Sequence, residues 1–180
     1  MAHTPDISIS IVSFNTNEVL RSCLDSIFHN NGDVAVEVIV VDNASTDGSV
    51  EMVEHEFPQA SLIRNERNLM FTKANNQAIR RSRAPYVLIL NSDTRLPRGM
   101  LREMIDFMES HPKAGAASCN FLSPEGAIQP VGWKFHTLGS MMANQKIARW
   151  LFPNSRVLRE HSMPDWDRTS SRQVDVICGG

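Results

Sequence analysis

Ile7, Ile9 and Ile11 alternate with serines and run into Val12, a period of two that predicts a short strand ending at Ser13-Phe14-Asn15. The period then changes. Val19, Leu20, Cys23, Leu24, Ile27 and Phe28 fall on one helical stripe, opened by Asn15 or Thr16 as cap and closed by Asn30-Asn31-Gly32. Val36 to Val41 is a nearly continuous apolar run, as a strand buried on both faces requires, and it stops at Asp42. The polar loop Asn43-Ala44-Ser45-Thr46-Asp47-Gly48 offers several caps for a helix carrying Val50 and Val53. Leu62-Ile63 predicts a short third strand, and Thr72 to Arg81 a helix. Tyr86 to Leu90 reads as a second buried strand, halted at Asn91-Ser92-Asp93. Pro97 stands where a first helical residue would, ahead of a stripe of Leu101, Met104, Ile105 and Met108.

Strand and helix alternating in this order predict an α/β unit with a mostly parallel sheet and helices on both faces, because parallel neighbours need crossover connections. Residues 1–115 form that unit. After Gly115 the pattern loosens: Ser123-Pro124-Glu125-Gly126 reads as a turn, Leu138 to Phe152 as a helix, and Pro153 to Arg172 as a loop.

Composition narrows the class. With 180 residues, 42% hydrophobic and 21% charged, the chain can bury a real core and is not a disordered tail. A net charge of −2 gives no field for nucleic acid, so none is expected as a partner. The charge is uneven: residues 1–133 hold 11 basic and 16 acidic side chains, residues 134–180 hold 7 and 4. Lys146 and Arg149, on the predicted helix with Leu138, Met141, Met142, Trp150, Leu151 and Phe152, offer a peripheral contact with a cytoplasmic membrane face; packing onto the sheet is the competing use of that helix. Cys23, Cys119 and Cys178 show no metal-ligand or redox spacing, which points to a reducing compartment. No apolar stretch is long enough to span a bilayer, and Met1 to Asp6 carry no signal-peptide pattern, so a cytoplasmic location is expected.

The candidate chemistry lies at the strand ends, where open parallel sheets bind ligands. Ser13 and Asn15 follow the first strand, Asp42 and Asn43 the second, and Asn91, Ser92 and Asp93 the Tyr86 to Leu90 strand. Asp42 can accept a hydrogen bond from an imide N–H such as uracil or thymine presents, or it can cap the turn. Asp93 can hold a divalent cation that bridges a diphosphate, or it too can cap. Asn65, Asn68, Asn75 and Asn76, with Arg64, Arg67 and Lys73, can surround a nucleotide with amides and positive charge, or face solvent as loop residues usually do. Neither a GxxxxGK[ST] loop nor a GxGxxG fingerprint occurs, which removes the main support for P-loop and dinucleotide sites. The histidines and cysteines show no zinc spacing.

Four ordered blocks resemble the family 2 glycosyltransferases of GT-A fold, in particular their rhamnosyltransferase-like members. These are Ile9 to Asn15, Val38 to Ser49, Asn65 to Leu69 with Ala74-Asn75-Asn76, and Leu88 to Thr94. The resemblance implies a Rossmann-like sheet truncated at its C-terminal side, with residues 1–115 as the nucleotide-sugar-binding unit and 116–180 as the incomplete start of the acceptor side. It implies a donor site for a UDP- or dTDP-linked sugar lined by Ser13, Asn15, Asp42, Asn43, Asn68, Lys73, Asn75, Asn91 and Ser92, with Mg²⁺ or Mn²⁺ on Asp93. Asn91 stands where the family often has the first Asp of an Asp-any-Asp metal motif. Met70 to Lys73 replace a stretch usually made of glycine, phenylalanine and small residues.

An inverting, metal-assisted transfer to a glycan or lipid-linked acceptor is implied, with a general base in a later acidic segment. That segment is expected after the block resembled by Val174 to Gly180, so the chain alone is expected to bind donor without turnover; Asp165, Asp167 and Asp175 are its remaining late carboxylates. The rival classes are a non-catalytic nucleotide-sugar-binding module and a nucleotidyltransferase. The latter should carry a Gly- and Arg-rich loop where this chain has Ser13 to Asn17.

Overall fold

The computed structural model describes residues 4–123, 126–129, 131–135, 137, 163 and 166–177. The chain divides into two compact units, Met1–Gly115 and Ala116–Gly180.

The first unit has one sheet of four strands, β1 (Ile7–Ser13), β2 (Val36–Asp42), β3 (Ser61–Arg64) and β4 (Tyr86–Asn91), in the order β3-β2-β1-β4. All three pairings are parallel, with Ile9 opposite both Val38 and Leu88. Helices α1 (Asn17–Asn30), α2 (Ser49–Glu56) and α3 (Met70–Arg81) make the crossovers, and α4 (Met100–Ser110) follows β4. Right-handed crossovers that step outward from β1 to β3 and then return past β1 to β4 must place α3 on the face opposite α1 and α2. The core shows that division. Ile9, Ile11, Val38 and Val40 pack with Leu20, Leu24 and Ile27 of α1, Met52 and Val53 of α2, and Leu101 and Ile105 of α4. Ile39 and Val41 pack with Ala74 and Ala78 of α3 on the other face. Each fully buried aliphatic side chain here contributes about 1.5–3 kcal/mol relative to exposure.

The serines of β1 are a surprise of physical interest. Alternation suggests a wet face, yet Ser8 and Ser10 are buried beneath the α3 side. Their hydroxyls are satisfied locally: Ser10 donates to Asn75 Oδ1 at 2.8 Å and Ser8 to Glu37 Oε2 at 2.6 Å. Arg83 closes the second cluster, donating its backbone N–H to Oε2 at 3.0 Å and Nε–H to Oε1 at 2.6 Å.

Three element predictions need correction. Tyr86 to Leu90 reads as buried on both faces, but Val87 and Ile89 are exposed, because α3 lies over β1 and β2 and leaves the β4 flank of that face open. Helix α4 begins at Met100 rather than Pro97: residues 98 and 99 form a turn, and Gly99 takes φ 85°, a left-handed geometry that suits glycine. Helix α3 also starts two residues earlier than the pattern predicts, at Met70.

Among its described residues the second unit contains two short antiparallel pairs, β5 (Phe121–Leu122) with β6 (Ile128–Gln129) and β7 (Gly132–Trp133) with β8 (Val176–Ile177). The Gly126 N–H donates to the Ser123 carbonyl at 2.8 Å, as the predicted turn requires. Gly132 packs against Val174, which a Cβ would meet at 3.0 Å. The predicted helix at Leu138 to Phe152, with Lys146 and Arg149, and the candidate Asp165 lie outside the described residues. Among the described residues no helix is long and apolar enough to cross a membrane.

Candidate functional site

Because the chain leaves β1 toward β2 and later returns on the other side of β1 to β4, the strand order reverses between β1 and β4. The loops after β1, β2 and β4 therefore diverge at one end of the sheet. That rim carries Ser13 to Asn15, Asp42 to Gly48 and Asn91 to Asp93.

Asp42 is the central group. It is 2% exposed, its Oδ2 accepts the Ser45 N–H at 2.9 Å, and its Oδ1 is buried with no hydrogen-bond partner among the described residues. An unpaired buried carboxylate oxygen costs on the order of 1–3 kcal/mol or more, which marks this atom as one that a ligand, an ion or a water could complete. Backbone bonds fix the surroundings: Asn43 N–H donates to the Ser13 carbonyl at 2.9 Å and Asn65 N–H to the Asp42 carbonyl at 2.9 Å.

The other predicted residues separate into groups. Ser13 is buried and shares a 2.9 Å hydrogen bond with Thr16 Oγ1. Asn15, at φ 54°, accepts the Thr46 N–H at 2.8 Å and donates its own N–H to Ser45 Oγ at 2.9 Å, so its amide oxygen ties two loops together. Asn43 is buried, and its Oδ1 accepts from Asn65 Nδ2 at 2.9 Å and from Leu69 N–H at 3.4 Å, which pins the start of α3 to the end of β2. Asn65 and Gln77 exchange a further pair of amide bonds at 3.0 and 2.9 Å. Asn68 is exposed and accepts the Met70 N–H at 2.8 Å, holding Met70 at φ 65°. Lys73 is exposed on the first turn of α3. Asn75 is 4% exposed, accepts from Ser10 and donates to the Phe71 carbonyl at 3.1 Å, so both ends of its amide serve packing of α3 on β1.

At the end of β4, Asn91 and Ser92 are half-buried and Asp93 is exposed. The Asn91 carbonyl accepts the Thr94 N–H at 3.2 Å and the Cys23 thiol at 3.7 Å. Burial pushes the Cys23 thiol up to about 12, and the nearby charge of Asp93 adds to it. Among the described residues no group of three or more His, Cys, Asp or Glu side chains gathers as a metal cage. One exposed carboxylate beside amide and hydroxyl oxygens suits Mg²⁺ or Mn²⁺, which take oxygen ligands and share them with substrate phosphates.

Phe14 belongs with these residues although polarity alone does not select it. It is 47% exposed between Ser13 and Asn15. A large aromatic left open at the strand-end rim is the signal that identifies it. Of the late carboxylates, Asp167 accepts the Thr169 N–H and hydroxyl at 3.0 and 2.7 Å, and Asp175 accepts the Phe135 N–H at 3.2 Å. Both are engaged in local turns or strand ends of the second unit.

A family described as Glycosyl transferase family 2 matches residues 8–161. The succinoglycan biosynthesis protein ExoO of Rhizobium meliloti is 30% identical over 103 residues, 57% of this chain and 29% of that protein. Among solved structures, the mannosyltransferase PcManGT from Pyrobaculum calidifontis in complex with GDP-Man and Mn²⁺ shares 26% identity at a TM-score of 0.59, covering 69% of this chain and 37% of that one. S. aureus TarS in complex with UDP-GlcNAc shares 25% identity at a TM-score of 0.53, covering 59% of this chain and 32% of that one. The chain thus spans about a third or less of the length of ExoO and TarS.

Proposed function

Because the chain belongs to glycosyl transferase family 2, we propose that its strand-end rim binds the nucleoside diphosphate of a sugar donor, which the parent protein uses to glycosylate a glycan or lipid-linked acceptor. The buried, unpartnered Oδ1 of Asp42 is the observation that carries this reading. A carboxylate oxygen at that depth suits a base with a ring N–H donor. Uracil and thymine have one, and so does guanine, which extends the UDP- or dTDP-linked donors implied by the sequence to GDP-linked ones; PcManGT binds GDP-Man and TarS binds UDP-GlcNAc. Phe14 offers an exposed ring on the same rim.

Asp93, with Asn91 and Ser92, would hold Mg²⁺ or Mn²⁺, which when bound neutralises the diphosphate leaving group. Lys73 at the first turn of α3 adds positive charge. The transfer is inverting, of a hexosyl or rhamnosyl group, with the acceptor side built from residues 116–180 and what the parent protein adds to them.

A calorimetric screen of UDP, dTDP, GDP, ADP and CDP and of their sugar conjugates, with and without Mn²⁺, tests the reading. Selective binding of the uracil, thymine or guanine diphosphates, strengthened by Mn²⁺, is expected. Binding of none of them, or equal binding of all five bases, would refute it.

A further inference from the structure

The loop after β1 and the loop after β2 are joined side by side, and one residue outside the proposed donor contacts, Asp47, bonds to the starts of both helices that follow them. Asp47 Oδ2 accepts the backbone N–H of Asn17, the first residue of α1, at 2.8 Å. Its Oδ1 accepts the N–H and hydroxyl of Ser49, the first residue of α2, at 3.1 and 2.5 Å. Its carbonyl also accepts Asn17 Nδ2–H at 3.3 Å. One carboxylate therefore satisfies an orphan N–H at the start of each of two helices, reaching back 30 residues in sequence to the first of them. The bonds between Asn15 and Ser45 and between Asn15 and Thr46 continue the same seam toward the ligand. Ser45 reaches Asp42, because its N–H is the donor to Asp42 Oδ2. The seam thus runs from Asp47, which ties the helix starts, through Asn15 and Ser45 to the carboxylate whose other oxygen is buried and unpartnered among the described residues.

We propose that Asp47 is a positioning residue for nucleotide recognition: by fixing the spacing of the two loops it holds Asp42 where its free oxygen meets the base. The inference rests on the donor-site reading above and assigns the Asp47 carboxylate a role in affinity, beyond capping two helices. A cap alone would change stability and leave affinity untouched. A positioning residue changes affinity, and does so only while the group it positions is present.

The test is a double-mutant cycle of Asp47→Ala and Asp42→Ala, read by calorimetry with UDP and GDP in saturating Mn²⁺ and by thermal melting. Asp47→Ala should weaken the better-binding diphosphate on the order of tenfold in the Asp42 background, and less than about twofold once Asp42 is alanine. The melting midpoints should fall by similar amounts in both backgrounds. If Asp47→Ala does not fold, Asp47→Asn enters the same cycle, since its amide oxygen can keep one of the two helix starts tied. Equal affinity losses in both backgrounds, or a drop in melting midpoint with unchanged affinity, would overturn the inference alone. Wild-type protein that binds neither diphosphate would overturn the donor-site reading and this inference with it.

Discussion

Replacing Asp42 by asparagine alters one atom and reverses its hydrogen-bonding sense, and the geometry fixes which atom changes. Oδ2 accepts the Ser45 N–H, so in Asp42→Asn the amide oxygen must take that place, because nitrogen there would set donor against donor. The NH₂ group then occupies the position of the unpartnered Oδ1. Uracil or guanine would meet a donor where it needs an acceptor. A hydrogen bond to a charged partner contributes about 1.5–3 kcal/mol, so UDP and GDP should weaken by about 10- to 150-fold. ADP and CDP, which present a ring-nitrogen acceptor on the corresponding edge, should hold their affinity or gain. Asp42→Ala should lose the same selectivity and also strand the Ser45 N–H, lowering stability by about 1 kcal/mol. Calorimetry with the four diphosphates at saturating Mn²⁺, beside thermal melts of each variant, measures both effects. UDP and GDP affinities within about twofold of wild type in Asp42→Asn would refute the assignment of the base to this carboxylate. A uniform loss across all four bases would show that Asp42 shapes the loop instead.

Four further outcomes are expected. Asp93→Ala should abolish the Mn²⁺-dependent gain in nucleotide affinity with little change in melting midpoint, since the side chain is exposed; a retained Mn²⁺ effect would take the metal off Asp93. Partial burial pushes Glu37 up, but the Ser8 hydroxyl and the backbone N–H and guanidinium of Arg83 outweigh it and hold the carboxyl below its ordinary 4.5. Its stabilisation is therefore fully present above that value and lost as pH falls through the lower folded one; Glu37→Gln should flatten the melting midpoint against pH in that acid window. Cys23, buried and with its thiol pushed up to about 12, should resist iodoacetamide at pH 8 until the protein is denatured, as mass spectrometry of the labelled chain would show. Ala44 sits at φ 66°, where an L side chain costs about 1–2 kcal/mol; glycine gives back about 0.5–1 in chain entropy, so Ala44→Gly should raise the melting midpoint by up to a few degrees.

Much of the sheet is legible in the sequence, because β1, β2 and α1 carry their periods in uninterrupted runs and only a parallel sheet accommodates their order. The serines of β1 are not legible in the same way. Their alternation is what a half-wet strand shows, and nothing local reveals that Asn75 and Glu37, 65 and 29 residues away, satisfy them in the interior. Likewise Tyr86 to Leu90 looks doubly buried because hydropathy records composition, whereas the exposure of Val87 and Ile89 depends on where α3 comes to rest. At the rim, Asp42 is found from its position after a buried strand, but only coordinates show that one of its oxygens is open. Asn15 and Asn75 illustrate the converse: an amide at the right place in sequence is already engaged by Thr46 in one case and by Ser10 in the other. Phe14 escapes a search for polar groups and emerges only from its exposure.

The central place of β1 has a consequence for how the chain acquires its structure. Its first edge can pair with β2 as soon as both strands have been made, since Ile7–Ser13 and Val36–Asp42 are close in sequence. Its second edge must wait for Tyr86–Asn91, roughly 40 residues or several seconds later at ribosomal rates of about 5–20 residues per second. During that interval a strand with Ser8 and Ser10 on one face presents open backbone groups, while Asn75 and Ala84, which bond to those hydroxyls, are still being made. Closing such a long loop is slow because its entropy is lost before the pairing compensates. The nascent β1–β2 pair is thus the stage at which chaperone binding, or pairing with another nascent chain, would compete with native folding.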